Sequence, residues 1–208
     1  MLSQGHTTQS FAGLGEIGPL PLVQTQSPGH ASLSSLNPAT PGSVAVCGVH
    51  RLAPREVVER IVHSWFDLIH SLAPIFHRGM FLARLATDEC TQDGIFAALV
   101  VSMCAATLVS LPRKSYQDFG PLTAEQCWDV IDDINLHQRR EPYTLEWCQM
   151  KYNIGSSQYA CNNALAFRNT SEAAAGVKYL IYHEMAKKDF VSQQLLKRLY
   201  WLLFAGGW

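Results

Sequence analysis

His63, Asp67 and His70 stand at i, i+4 and i+7, a spacing that puts two imidazoles and a carboxylate on one face of a helix, where they could share a divalent metal. These positions interleave with apolar neighbours, so half-exposed polar side chains beside a core stripe are the expectation rather than a metal site. A helical small-molecule- or metal-binding protein or enzyme, the alternative class, would rest on His63, His70 and His77 with the acidic group Asp129, Asp132 and Asp133. The acidic group falls on the polar side of its helix, as a solvated face does. His183-Glu184 opens like the HExxH zinc motif, but position 187 is lysine and the second imidazole is missing. Gly155-Ser156-Ser157-Gln158-Tyr159 starts like a nucleophile elbow, yet Tyr159 occupies the place of the closing glycine and no strand precedes it. Gly13, Gly15 and Gly18 match GxGxxG, with Pro19 and Pro21 where a phosphate-binding helix would have to begin. Asn169-Thr170-Ser171 is a glycosylation sequon that matters only on secretion, and residues 1–15 show neither a basic region nor an apolar run to direct it. Cysteines at 47, 90, 104, 127, 148 and 161 form no CxxC pair, so reduced thiols acting as small hydrophobes are expected. No catalytic, cofactor-binding or metal-ligating set follows from these residues.

The elements that carry them divide the chain in two. Residues 1–50 hold one charged residue, Glu16, with seven glycines, five prolines and seven serines. Too few spaced apolar residues stand there to offset the entropy of ordering, so residues 1–53 read as a disordered tail or linker. All sixteen Lys and Arg and sixteen of the seventeen acidic residues lie after position 50, and the remainder, residues 54–208, holds all of these but Arg51. That balance gives no electrostatic footprint for gripping a phosphate backbone. With 48% hydrophobic residues overall, this part has ample material for a core.

Apolar periodicity in the second part is helical throughout, and the expected fold is an all-α multi-helix bundle. Pro54 suits a helix start, and Val57, Val58, Ile61, Val62, Trp65, Phe66, Leu68, Ile69 and Leu72 form its stripe, to end by Ala73 before Pro74. An extended link over residues 75–78 and a short helix with Met80, Phe81, Leu82 and Leu85 follow. Residues 95–111 contain no charge and read as the buried central helix; with several small polar residues and no aromatic belts, a membrane span is rejected. Thr123 with Gln126 predicts a capping box for a helix through Leu136 that buries Cys127, Val130, Ile131 and Ile134. Thr144 predicts the next helix, to about Tyr159, and Thr170 or Ser171 one through Met185. A last helix carries Leu195, Leu196, Leu199, Tyr200, Leu202, Leu203 and Phe204.

Trp65, Phe66, His70, Pro74, Ile75, His77, Arg78, Phe81 and Leu82 together resemble the opening of the fungal-specific transcription factor domain, the middle homology region of fungal binuclear zinc-cluster regulators. That opening has an aromatic helix, a histidine, a Pro-Ile/Leu-x-His-Arg core and a Phe-Leu pair. Lys197, Arg198, Leu199, Tyr200, Trp201, Leu202, Leu203 and Phe204 resemble the family's Arg-Arg-Leu-Phe/Tyr-Trp-x-Leu-Phe block. With the helices between, the likeness covers residues 54–205. Trp65, Phe66, Trp201 and Phe204 are expected in the core, and His77 and Arg78 to cap and pair polar groups at the helix junction after Pro74.

The resemblance implies a nuclear transcription regulator of the kind tied to metabolic or secondary-metabolite gene clusters, with Trp65, Pro74, His77, Arg78, Phe81, Arg198 and Trp201 as structural or regulatory residues and no catalysis. It departs from the family twice. The zinc cluster that gives the family its DNA contacts and its only cofactor has no counterpart here, and the chain stops at Trp208 where the family's region continues. A partial regulatory domain is therefore expected, meeting DNA only indirectly through other regulators or an intact homologue, and without a membrane.

Overall fold

Proline starts the first long helix. Pro54 (φ −54°, ψ 146°) stands at the N-cap of α2 (Arg55–Leu68), where its missing N–H costs nothing. The computed structural model describes residues 48–133 and 143–205, the side chains of 114–116 excepted. Around α2 lie α1 (Gly48–Leu52), α3 (Arg78–Ala86), α4 (Gly94–Ser110), α5 (Pro112–Asp118), α6 (Ala124–Asp133), α7 (Leu145–Ala160), α8 (Ala166–His183) and α9 (Phe190–Ala205). Two 3-10 turns, Glu89–Thr91 and Met185–Lys187, complete an all-α bundle with no strand among the described residues. Residues 1–47 of the expected tail, including the Gly13 to Gly18 motif and Cys47, lie outside the described residues, as do Ile134, Leu136 and the terminal 206–208.

Side-chain caps fix most helix starts. Thr123 and Gln126 form the expected reciprocal box, Gln126 Oε1 accepting from the Thr123 N–H at 3.0 Å and Thr123 Oγ1 from the Gln126 N–H at 3.4 Å. Thr144 Oγ1 accepts from the Trp147 N–H at 3.1 Å. Asp93 serves α4 in the same way, accepting from the Ile95 and Phe96 N–H groups at 2.8 and 3.1 Å, and Asp189 serves α9 through the Ser192 N–H at 3.0 Å.

Four boundaries differ from the sequence expectation. Gly48–Leu52, assigned to the tail, is helical with Val49 buried against the bundle. Pro112 opens α5 rather than only closing α4, since proline is tolerated in a first turn. The helix expected from Thr170 starts four residues earlier, at Ala166, and Thr170 Oγ1 bonds back to the Ala166 carbonyl at 3.0 Å in the helix interior. Finally α2 stops at Leu68, where the Ile69 and His70 N–H groups both reach the Trp65 carbonyl at 2.8 and 2.9 Å. The early turn lets Ile75 and Phe76 come back onto the aromatic face, and it leaves Leu68 and Leu72 exposed instead of in the core stripe.

α4 is the bundle's centre, buried from Phe96 to Leu108 and walled by α1, α2, α6 and α7. No helix of the described residues is long and apolar enough to cross a membrane. Cys90, Cys104, Cys127 and Cys148 are buried free thiols and Cys161 is exposed. Burial pushes the Cys104 and Cys148 thiols up to about 12, which keeps them protonated.

The most extensive helix–helix contact among the described residues is α7 against α8, and two glycines allow its close approaches. A Cβ on Gly155 would lie 2.6 Å from Thr170 Cγ2, 3.1 Å from the Thr170 nitrogen and 3.2 Å from the Ala166 carbonyl oxygen. One on Gly176 would lie 2.7 Å from Cys148 Sγ. Backbone atoms cannot give way cheaply, so Gly155→Ala is expected to lower the urea midpoint: overpacking costs about 1–3 kcal/mol, against the ~1 kcal/mol of helix propensity that alanine gains. Gly79→Ala, whose Cβ meets only the His77 ring at ordinary contact distances, Cε1 at 3.5 Å and Nδ1 at 3.8 Å, is expected to raise the midpoint. Equal midpoints for the two variants would refute the close contact.

Candidate functional site

Five aromatic rings from four segments meet where α2 hands over to α3. Trp65 and Phe76 stand 5.0 Å apart edge to face, Phe66 and Phe81 5.6 Å, Phe76 and Phe81 5.2 Å, and Phe81 and Phe96 5.2 Å. All five are buried, an arrangement that adds quadrupole attraction to apolar burial. A polar rim ties the junction. His77 Nδ1 accepts from the Met80 N–H at 3.2 Å and so caps α3. Arg78 reaches back to Asp67 at 2.8 Å and stands 5.8 Å from the Phe66 ring centre. Gln149 of α7 donates to the Ile75 carbonyl. From α9, Arg198 donates to the Pro74 carbonyl at 3.4 Å.

Trp65, Pro74, His77, Arg78, Phe81 and Arg198 are thus brought together at one junction. Trp201 is not among them. α9 turns Leu196, Leu199 and Leu203 inward, which puts Trp201 on the opposite side, 67% exposed, and leaves Phe204 41% exposed. The expected core places of these two aromatics are corrected accordingly, whereas Trp65 and Phe66 are core.

The metal geometry dissolves with the early end of α2. His63 is exposed, Asp67 is engaged by Arg78, and His70 falls in the turn beyond the helix. Among the described residues no three His, Cys, Asp or Glu side chains converge as metal ligands do. His70 packs 5.5 Å from both the Trp65 and Phe66 ring centres, and its Nδ1 is buried with no hydrogen-bond partner. Burial first, then the charges of Arg198 and Arg78, lower its pKa and favour the neutral ring.

The other sequence candidates are also structural. Ser157, in the run that opens like a nucleophile elbow, lies inside α7, donates to the Ile154 carbonyl and accepts from Trp128 Nε1 at 2.9 Å. His183 closes α8 beside Glu184, whose carboxylate pairs with Lys187 at 3.0 Å. Asp133 pairs with Arg51 at 2.6 Å, and Asp129 and Asp132 are exposed. Asn169 of the sequon is buried within α8.

One cluster escaped the sequence reading. Lys151 is only 2% exposed. Its Nζ lies 2.8 Å from Glu172 Oε2, donates to Asn169 Oδ1 at 3.0 Å and stands 5.5 Å from the Trp147 ring centre. Asn169 Nδ2 donates in turn to Gln158 Oε1 at 2.8 Å. Burial acts to raise the Glu172 pKa, but hydrogen bonds from Lys151 and Arg168 hold it below the usual carboxylate range. The lowered pKa favours the carboxylate form of Glu172, and its contact with Lys151 latches α7 to α8. Beside it opens a cavity of about 170 Å³ lined by Trp128, Asp132, Lys151, Gln158, Arg168 and Asn169, with Ile131, Ile154 and Leu165. The available signal was α7's composition: Gln149, Lys151, Asn153, Ser157 and Gln158 leave no clean polar side, and all five are buried.

No protein-family model, curated protein or solved structure matches this chain.

Lys151→Met leaves the Glu172 carboxylate to Arg168, at 3.0 Å, and takes the Lys151 donor from the Asn169 carbonyl. The expected loss is about 2 kcal/mol rather than the ~3–5 of a fully buried pair, because the Glu172 side chain is 33% exposed. Lys151→Met with Glu172→Leu should recover most of it in urea unfolding; equal instability of the single and double variants would refute the latch. His70 supplies a pH test. Its folded pKa lies below the unfolded value, so the native state holds fewer protons, and the stabilisation is complete above ~6.5 and lost as pH falls. His70→Phe should therefore flatten the fall in urea midpoint between about pH 7 and pH 5, and an unchanged slope would count against the neutral ring.

Proposed function

We propose that the chain is the regulatory and interaction part of a transcription regulator of the fungal zinc-cluster type, acting in the nucleus and meeting DNA only through other regulators or an intact homologue. The observation that carries this reading is spatial. The blocks of the resemblance around Pro74 and Arg198 are 124 positions apart, and they share a hydrogen bond at the aromatic junction. A sequence likeness made only of generic aromatic helices would not require its two ends to converge. The polar groups of the junction are spent on capping, pairing and bridging helices, as befits a domain that transmits or restrains rather than catalyses. The reading assigns the chain no metal or cofactor of its own, and the family's zinc belongs to a cluster whose cysteine pattern is not found in this sequence.

Two measurements test the proposal. Fused to a heterologous DNA-binding domain in a fungal cell, the chain is expected to change reporter output several-fold in either direction, and Arg198→Ala with Trp65→Leu to reduce that effect. The purified chain is expected to leave duplex DNA unshifted in a gel assay. An inert fusion, or tight salt-sensitive DNA binding by the chain alone, would overturn the reading.

A further inference from the structure

Charge is unevenly spread along this chain. From residue 173 onward five basic residues, Lys178, Lys187, Lys188, Lys197 and Arg198, stand against two acidic ones, Glu184 and Asp189, a local balance of +3 in a chain of net −1. Both carboxylates are occupied. Glu184 pairs with Lys187 at 3.0 Å, and Asp189 accepts from the Ser192 backbone and hydroxyl at 3.0 and 2.6 Å. Lys178 and Lys197 are exposed, and among the described residues neither has a carboxylate within ion-pair distance.

These two lysines flank a cleft of about 200 Å³ between α8 and α9, whose walls include Tyr182, Tyr200 and Trp201. Tyr182 is 81% and Trp201 67% exposed. Phe204 extends the surface, 4.4 Å from the Tyr200 ring, with Lys178 Nζ standing 4.7 Å from its centre. A concave apolar space with exposed aromatic rims and unpaired cations is an anchor pocket in search of a complementary chain.

Three occupants compete on charge and shape. Residues 1–47 contain one acidic residue, Glu16, and offer almost nothing to two lysines. A second copy docked isologously would bring the same lysines against each other. A lipid surface would meet the cations and aromatics, but a plane leaves the cleft between α8 and α9 unfilled. An amphipathic helix satisfies all the features at once. We propose that the cleft docks an acidic amphipathic helix of a partner protein, with one bulky apolar side chain in the cleft, its neighbours against Tyr182 and Trp201, and carboxylates reaching Lys178 and Lys197. This deepens the regulatory reading, on which its biological sense rests, by giving the partner a chemistry.

The test uses the full chain and a fluorescein-labelled synthetic amphipathic peptide with Leu and Phe on one face and Asp and Glu on the other, read by anisotropy. Saturable binding is expected, weakening with salt. Trp201→Ala is expected to weaken it about tenfold or more with an unchanged circular dichroism spectrum, since the side chain is largely exposed. Lys178→Glu with Lys197→Glu should reverse the preference toward a peptide whose acidic residues are replaced by lysine. Equal binding of the two peptides by the unaltered chain, or indifference to both sets of substitutions, would overturn the proposal. So would self-association abolished by Trp201→Ala, or capture by phosphatidylserine vesicles without peptide binding. Failure here with an active reporter fusion removes the docking surface and leaves the regulatory reading; peptide binding with an inert fusion does the reverse.

Discussion

A helix without a polar face has to be enclosed on every side, and α4 imposes that demand on the whole fold. Its seventeen residues contain no charge, and its burial runs from Phe96 to Leu108 without interruption. α1, α2, α6 and α7 are its walls. The few polar groups it carries are satisfied locally: Ser102 and Thr107 donate to the Leu99 and Met103 carbonyls, each at 2.8 Å. Its N-terminal end is closed by Arg84. That guanidinium stands 4.0 Å from the Phe96 ring centre and binds Glu89, Asp93 and Glu146, so one cation joins α3, a 3-10 turn, the α4 cap and α7. Long cationic side chains can cover apolar surface while their heads stay paired.

Enclosing α4 creates a second problem, because α7 brings polar side chains into the interior. Asn153 reaches Ser102 at 3.3 Å, Gln149 reaches the Ile75 carbonyl, and Lys151 points the other way into α8. Unpaired, each would carry a desolvation cost of kcal/mol size. Paired, they fix how α7 sits between its two neighbours, since a rotation of the helix would break bonds on both sides. The glycine contacts act in the same sense. With Gly155 against Thr170 and Gly176 against Cys148, the backbones approach closely enough for Lys151 to reach Glu172 and Asn169.

The all-α class and the central helix were legible because apolar periodicity and the absence of charge are local properties of the chain. So were the starts of α6 and α7, where Thr123 and Thr144 do what a threonine three residues before a free N–H does. Boundaries set by long-range packing were not legible. Nothing near Leu68 in the sequence says that Phe76 must fold back onto Trp65, yet that return ends α2 and removes His70 from the face it would share with His63. Leucines at 68 and 72 looked like core for the same reason. Lys151 was hidden by the converse failure: a lysine in a mixed helix reads as solvated, and only Glu172 and Asn169, supplied by another helix, make its burial tolerable. In α9 the Trp and Phe at 201 and 204 were assigned by type, whereas the leucines at 196, 199 and 203 decide which side faces the core.

α9 is where the buried junction and the exposed cleft meet in one rigid element. Arg198 holds the Pro74 carbonyl while Leu199, next to it, lies fully buried. Two residues on, Trp201 faces outward beside Tyr200 and opposite Tyr182 across the cleft. The outward side chains therefore project from a helix already ordered by its inner face, and a ligand of the cleft would meet a backbone that needs no further ordering. The same arrangement couples the two places mechanically. Any shift of α9 that reshaped the cleft would have to move Leu196, Leu199 and Leu203 through close-packed surroundings and draw Arg198 from Pro74, so the cleft's geometry depends on the junction being intact. A helix anchored on one side by core leucines and on the other presenting aromatics to solvent is how a small bundle can hold a recognition surface in fixed register with its interior.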